Sequence, residues 1–479
     1  MFSLVYHFGE WISFSRMSRW DLVAERCHWQ PTENCICEIV NLDVKEGKII
    51  HDSVHGSISV DGVFLDLIQT AEFQRLHDIK QLALAYLVFP GAHQTRLEHS
   101  LGTYHIAGRM CDSLELDEDE AMKIRCAALL HDVGHAPFSH TLEWFLRDQF
   151  GFTHDELTAR IITGKESIIP SDELKMLKGA PTIPEVLKDH GLDPKEIAGL
   201  IGGLGDPKDP EQTLLVAKKS HFNGRNYPFQ MIQGPVDCDQ IDFLIRDSHY
   251  TGVAHGVIDL DRLLQTLDTH NGDLVVEYRG VPAVEGMLVA RALMYTSVYL
   301  HKTVRIAELM LAKAAENLNR ADIDSARKQN DSGFLAVLRD HDASSRRIVT
   351  SLKYRRLYKS AFLWKMSELD ERQLTLLEKL CSYREKVKIE ERICERAGIP
   401  SDSVVIDVPG EEIVTTEPRM SSVNIGILEK KKVRPLSRVS PLASALQLRK
   451  VQDWGLRVAC PPEFKDKVRK AAERVLGSK

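Results

Sequence analysis

The sequence has no run of 18 apolar residues, so no transmembrane helix is expected. Its apolar N-terminus is broken by Gly9 and Glu10, and no small-residue cleavage site follows, which argues against a secretory signal. Charge of one sign is also lacking. The net charge is −7 and the isoelectric point is near 6.3, so no global basic field recommends nucleic acid as the main partner. The basic clusters from Lys430 to Arg434 and from Arg346 to Arg356 are mixed with acids and apolar residues, and they read as solvated faces or anion sites. The nine cysteines are odd in number and dispersed, as expected for reduced thiols, and a cytoplasmic location is expected. Cys27, His28, Cys35 and Cys37 match none of the usual paired zinc-site spacings. No fixed-period repeat is present.

What remains is a 479-residue chain with 43% hydrophobic residues, enough for a large core and an accessory domain. Residues 1–44 carry no clear periodicity and read as an N-terminal extension. Residues 45–395 read as mostly helical: apolar spacing near 3.6 runs from Leu67 to Leu87, Arg96 to Leu114, Glu118 to His131, Pro235 to Ser248, Val284 to Asn317 and Ser367 to Arg396. Beyond Ala397-Gly398-Ile399-Pro400 the character changes. Val404 to Val408, Ser422 to Leu428 and Leu456 to Ala459 read as strands, and Pro461-Pro462 opens a last helix through Leu476. The fold class expected is mostly α, with a small α+β lobe over residues 396–479.

The strongest local signal is Leu130-His131-Asp132-Val133-Gly134-His135. Ala121, Ile124, Ala128 and His131 share one helical face, which carries His131 inward, and Gly134 ends the helix. A carboxylate in that place is costly to bury unless something binds it. A divalent cation resolves the cost, since imidazole and carboxylate are both good ligands. Alone, a His-Asp pair is more often a surface or capping pair. Two further stretches change its weight: Arg96 and His99, three apart in Thr95-Arg96-Leu97-Glu98-His99, and the carboxylate-rich run Asp237-Cys238-Asp239-Gln240-Ile241-Asp242 through Asp247. Each of these alone would read as an ion-pair network.

Taken together, the order H…HD…D resembles the HD superfamily of phosphohydrolases, and more narrowly the deoxynucleoside triphosphate triphosphohydrolases of the SAM- and HD-domain and bacterial types. The matching stretches include His51-Asp52-Ser53-Val54-His55-Gly56, Glu72-Phe73-Gln74-Arg75-Leu76, Arg96 to Gly102, Leu130 to His140 and Tyr299-Leu300-His301-Lys302, over about Lys48 to Lys302. The resemblance implies an HD-domain helical core over 45–395 in which His99, His131, Asp132 and Asp239 bind one divalent ion, with Mn, Fe, Mg or Zn all compatible. It implies hydrolysis at the α-phosphorus, giving a nucleoside and triphosphate. His140 then matches a histidine beside the scissile bond, Glu143 a residue that fixes its tautomer, and His154 another active-site histidine. Arg96, Arg291 and Lys302 match phosphate contacts, Gln81 and Asp247 contacts to the sugar hydroxyl, Leu82 a neighbouring substrate contact, and Tyr299 a ring that crowds the 2′ position.

The chain departs from the family pattern at Gln240, where a basic residue is common, at Phe243, where a tyrosine is, and at Leu300, where a glutamine is. Lys48 and Gln74 match an activator site, but Gln69 and His77 replace its guanine readers. Guanine-specific activation is therefore not expected, a nucleotide activator is left open, and a homo-oligomer, dimer or tetramer, is expected. Two other readings stand beside the triphosphohydrolase: an HD phosphodiesterase or nucleotidase with another phosphate ester as substrate, and a nucleotide sensor or nucleic-acid binder with vestigial catalysis.

Overall fold

The computed structural model describes residues 47–138, 141–142, 150–202, 224–409, 425–448 and 454–477. The extension expected at 1–44, with its Cys27, His28, Cys35 and Cys37, lies outside the described residues. Among the described residues helices dominate, accompanied by three small sheets, so the fold is mostly α.

The helices that matter for function begin at caps written in the sequence. Helix α1 (Arg96–Ser113) starts with a capping box, in which Thr95 Oγ1 accepts from Glu98 N and the Glu98 carboxylate accepts from Thr95 N at 2.6 Å. Helix α2 (Glu118–Leu130) is capped by Asp117 and opens on three acids, which suit the positive end of its dipole. It ends one residue before His131. That residue keeps right-handed helical backbone angles (φ −56°, ψ −31°), so its side chain still follows the inward face even though it lies outside the helix proper. Helix α3 (His154–Ile162) has a second capping box, through Thr153 and Glu156, and α4 (Cys238–Thr251) is capped by Asp237. The single helix expected over 284–317 is two helices, α5 (Val281–Met294) and α6 (Lys302–Ala315). A π turn (Tyr295–Tyr299) separates them, and His301 caps α6. Helices α7 (Tyr383–Ala397) and α8 (Lys465–Leu476) lie toward the C-terminus.

Helix α1 packs on α2 and α4, and α4 on α5; their apolar faces enclose one core that includes Leu101, Ile124, Leu129, Leu244 and Met287. The helix expected over 67–87 is instead a series of short turns, Ala71–Gln74, Arg75–Asp78 and Ala85–Leu87. The chain between them must extend so that Lys80 can bridge Thr95, immediately before α1.

Strands β1 (Lys48–Asp52) and β2 (Gly56–Val60) form an antiparallel hairpin. β3 (Leu267–His270) and β4 (Asp273–Glu277) continue, through a parallel β4–β7 pairing, into β7 (Gly426–Glu429) and β8 (Lys432–Pro435). In the third sheet β9 (Trp454–Cys460) lies between β5 (Lys359–Lys365) and β6 (Val405–Asp407). Strands from beyond residue 395 thus pair with partners from before it in two sheets. Helices α7 and α8 cover the third, around a separate core of Trp364, Leu380, Ile393, Leu456 and Val468.

One carboxylate fastens that sheet to α6. Asp407 on β6 is 1% exposed. Its Oδ1 accepts from Arg305 Nε at 2.9 Å and Nη2 at 2.8 Å, and its Oδ2 from Arg457 Nη1 at 2.8 Å. Removing one partner of a buried ion pair leaves uncompensated charge inside. Asp407→Ala is therefore expected to lower the unfolding free energy by about 3–5 kcal/mol, seen as a lower urea midpoint; an unchanged midpoint would refute this anchoring role.

Candidate active site

Helices α1 and α4 and the turn after α2 bring His99, His131 and Asp239 together, with one ligand atom from each lying within 4.8 Å of the others. His99 Nε2 is 3.0 Å from Asp239 Oδ1 and 3.2 Å from His131 Nε2. The other ring nitrogens fix the tautomers. His99 Nδ1 donates to Asp242 Oδ2 at 2.8 Å, and His131 Nδ1 donates to the Ala128 carbonyl at 2.8 Å. Both Nε2 atoms therefore turn a lone pair toward the same point, an arrangement that repels unless a cation lies between them. Two nitrogen ligands about 2.1 Å from a metal, at right to tetrahedral angles, sit roughly 3.0–3.4 Å apart, which brackets the observed 3.2 Å. The donor set thus fits a divalent cation. Burial disfavours a charged His99, but Asp239 and Asp242 outweigh it and raise the imidazole to about 10, so proton and cation compete for the same lone pair.

Asp132 borders this cluster. Its Oδ1 lies 3.3 Å from His131 Nε2 and its Oδ2 3.9 Å from His99 Nε2. Arg96 Nη1 donates to Oδ2 at 2.5 Å, and His135 Nε2 is 3.0 Å from Oδ1. Burial pushes the Asp132 carboxyl up, but His131, Arg96 and His135 hold it well below the ordinary range. His135 also stacks on His154, with ring centroids 4.2 Å apart, so His154 sits one imidazole away from Asp132. Gly134 permits this packing: a Cβ there would lie 2.5 Å from the Thr158 backbone nitrogen and 2.7 Å from the His154 carbonyl oxygen.

Asp242, one turn beyond Asp239 on α4, is excluded from the metal cluster because its oxygens are taken. Oδ2 accepts from His99 Nδ1 and Arg246 Nε, and Oδ1 from Arg246 Nη2 at 3.0 Å and from His55 Nε2 at 2.6 Å. Arg246 also donates to both oxygens of Asp52 on β1. Burial works against the Asp242 charge, yet Arg246, His55 and His99 keep the carboxyl ionised far below its usual range. Metal-bound histidines are commonly oriented by such a carboxylate. A Cβ at Gly102 on α1 would overlap the Asp242 carboxylate and Arg246, so only glycine lets α1 approach this closely. The motif stretches contained Asp52, His55, Asp242 and Arg246, but assigned them no role; the i,i+4 spacing of Asp242 and Arg246 was the available signal.

The expected substrate residues divide. Tyr299, at the end of the π turn, donates its hydroxyl to Asp247 Oδ2 at 2.7 Å, and Gln94 Nε2 donates to Asp247 Oδ1 at 2.8 Å. Burial raises Asp247 to about 6, and the Tyr299 hydroxyl, buried beside it, is pushed well above its usual range. Gln81 is buried and Leu82 half-buried, against the main core. Arg291 is buried on α5 and donates to Gln240 Oε1, while Gln240 Nε2 is held by the Gly234 carbonyl and Asp237. The departure at Gln240 therefore does not leave a gap: the amide takes hold of Arg291. Phe243 lies edge-on to Tyr299 at 6.0 Å, and Leu300 is buried. Lys302 is exposed at the start of α6 and forms no ion pair among the described residues. His140 and Glu143 lie outside the described residues. Gln94 and His135 are two further contacts that sequence reasoning missed, beside Asp52, His55, Asp242 and Arg246.

Two family models match the chain, HD domain over residues 96–217 and HD associated region over residues 258–479. An uncharacterized protein of Methanocaldococcus jannaschii is 32% identical over 87% of this chain and 80% of its own length. The deoxynucleoside triphosphate triphosphohydrolase SAMHD1 homolog of Dictyostelium discoideum is 31% identical over 66% of this chain, and human SAMHD1 is 26% identical over 68%. The chain spans 60% of the Dictyostelium protein and 56% of the human one. Among solved structures, a hypothetical protein from Aquifex aeolicus superposes with a TM-score of 0.60 at 28% identity, covering 89% of this chain and 99% of that one.

The buried charge of Asp247 gives a stability test. Its folded-state value near 6 lies above the ordinary carboxyl value, so its ionisation opposes folding increasingly as pH rises from about 4 to about 6. Asp247→Asn is expected to gain stability over the parent across that window, on the order of 2–3 kcal/mol above pH 6, with the two converging below pH 4. A difference in melting temperature independent of pH would contradict the buried-charge account.

Proposed function

The chain belongs to the HD-domain family of metal-dependent phosphohydrolases, and on that premise we propose that it hydrolyses deoxynucleoside triphosphates to deoxynucleoside and inorganic triphosphate. The observation that carries this reading is the pairing on one helix, α4, of Asp239 at the His99–His131 cluster with Asp247, which Tyr299 and Gln94 hold two turns further along. A cation-binding end and a polar end on one scaffold suit a substrate that carries phosphate at one end and a hydroxylated sugar at the other. The named triphosphohydrolases among the relatives support the same substrate class.

In this reading His99, His131, Asp132 and Asp239 hold the metal. When bound, a divalent cation supplies Lewis acidity and lowers the pKa of a water ligand. Arg96, fixed by Asp132, and Arg291, fixed by Gln240, present guanidinium groups to phosphate oxygens. Water oxygen bonds to the α-phosphorus and gives up one proton, the bond to the 5′ oxygen breaks, and that oxygen takes up a proton. His140, with Glu143 setting its tautomer, is the proton donor we assign on the motif, and His154, which stacks on His135, is assigned as a second active-site histidine. Gln81, Leu82, Asp247 and Tyr299 receive the sugar, and Lys302 is assigned to the phosphate tail. Assembly as a homodimer or homotetramer, a nucleotide activator and a cytoplasmic location belong to the same reading.

One observation favours a second substrate class. Positions 240, 243 and 300 present an amide already engaged with Arg291, a phenyl edge and a buried leucine, so less polar surface faces a triphosphate. An HD phosphodiesterase or nucleotidase would need less.

Ion-exchange analysis of products from metal-replete protein separates the two. Each dNTP is expected to yield deoxynucleoside and triphosphate. Release of monophosphate and pyrophosphate, or cleavage of a model diester alone, would overturn the proposal. Asp239→Ala is expected to lose bound metal, measured by elemental analysis, and to lower turnover more than about a hundredfold; a metal-loaded, fully active variant would refute the ligand assignment.

A further inference from the structure

Gln94 and Gln81 face each other across a short antiparallel pairing. Gln81 N donates to Gln94 O at 3.0 Å and Arg96 N to Ile79 O at 2.9 Å, on either side of the Lys80–Thr95 bridge. Residues opposite one another in such a pairing leave the backbone on the same face, with Cβ atoms about 4.5–5.5 Å apart. Both side chains are buried, Gln81 at 8% and Gln94 at 1% exposure. The amide of Gln94 is oriented by its donation to Asp247, which forces its Oε1 to be the remaining group. Among the described residues, neither Gln94 Oε1 nor Gln81 Oε1 receives a hydrogen bond. A buried carbonyl without a donor costs about 1–3 kcal/mol, and here two lie next to a carboxylate whose oxygens each accept one hydrogen bond, from Tyr299 and from Gln94. Such a face is short of donors. A substrate group that brings an O–H would relieve it, and one that merely fills the space would not.

The geometry points to Gln94 as a specificity-determining residue: its carbonyl accepts a hydrogen bond from a sugar hydroxyl of the nucleotide, beside Gln81, while its nitrogen holds Asp247 in place. This rests on the nucleotide reading above and deepens it. Because the requirement is for a hydroxyl common to all deoxynucleotides, it selects the sugar and is indifferent to the base.

The test compares kcat/KM for a 2′-deoxynucleoside triphosphate with that for its 2′,3′-dideoxy, 3′-fluoro and 3′-amino analogues, in the wild type and in Gln94→Met. The wild type is expected to favour the hydroxyl over the dideoxy and fluoro forms by at least about thirtyfold, and to accept the amino form, which restores a donor. In Gln94→Met the preference is expected to shrink to within about threefold, with metal content unchanged. A Gln94→Met enzyme that keeps the wild-type preference, or that loses both substrates in proportion, overturns the assignment. So does a wild type that treats the fluoro and hydroxyl forms alike, a measurement that needs no variant to fold. A wild type that neither cleaves nor binds any of these nucleotides overturns the nucleotide reading itself, an outcome distinct from cleavage with an unmoved preference.

Discussion

The carboxylate of Asp242 is the constraint on which the site depends. It is fully buried and accepts hydrogen bonds from His99, His55 and Arg246. By receiving His99 Nδ1 it decides which ring nitrogen faces the cluster, and by saturating its own lone pairs it withdraws itself from the ligand set. Asp239, three residues earlier, is left as the carboxylate that looks toward the opening, with its side chain 29% exposed. Two acids one turn apart on α4 thus take opposite parts because of what each touches. The same hub reaches outward through Arg246 to Asp52, so the β1–β2 hairpin is part of the support of the site.

A second balance operates on the other side of the cluster. Asp132 sits between Arg96 and His135, and that surrounding charge keeps it ionised despite burial. Burial instead depresses His135 well below the usual imidazole range, with Arg96 adding to the effect. A neutral His135 stacked on His154 makes a continuous imidazole path from Asp132 toward solvent-accessible space. The interior therefore offers acids that stay charged and a histidine that stays neutral, which is what a cation-binding hydrolytic centre requires of its walls.

Much of this was legible in the sequence, for identifiable reasons. Helices α1 and α2 announced themselves through apolar periodicity, and the ligand candidates through residue types costly to bury without a partner. Strands β1 to β4 were not foreseen. Each is only four or five residues long; β1, β3 and β4 mix charged with apolar side chains, and the alternation of Ser57-Ile58-Ser59-Val60 in β2 is too short to stand out. The break between α5 and α6 was hidden because a π turn leaves the apolar pattern nearly intact. Gln94 and His135 went unread because their meaning lies in partners distant along the chain: Asp247 for one, His154 for the other. Position 240 shows the reverse. Its chemistry was noticed, but its direction, toward Arg291, could be seen only in three dimensions.

The π turn at Tyr295–Tyr299 has a wider reach than the placement of one ring. The chain leaves it through Leu300 and an extended His301, whose side chain caps α6. Two residues therefore join the ring that meets Asp247 to the helix whose Arg305 meets Asp407. A lengthened or shortened connector would act at both ends, on the polar contact at Asp247 and on the tie to the C-terminal sheet.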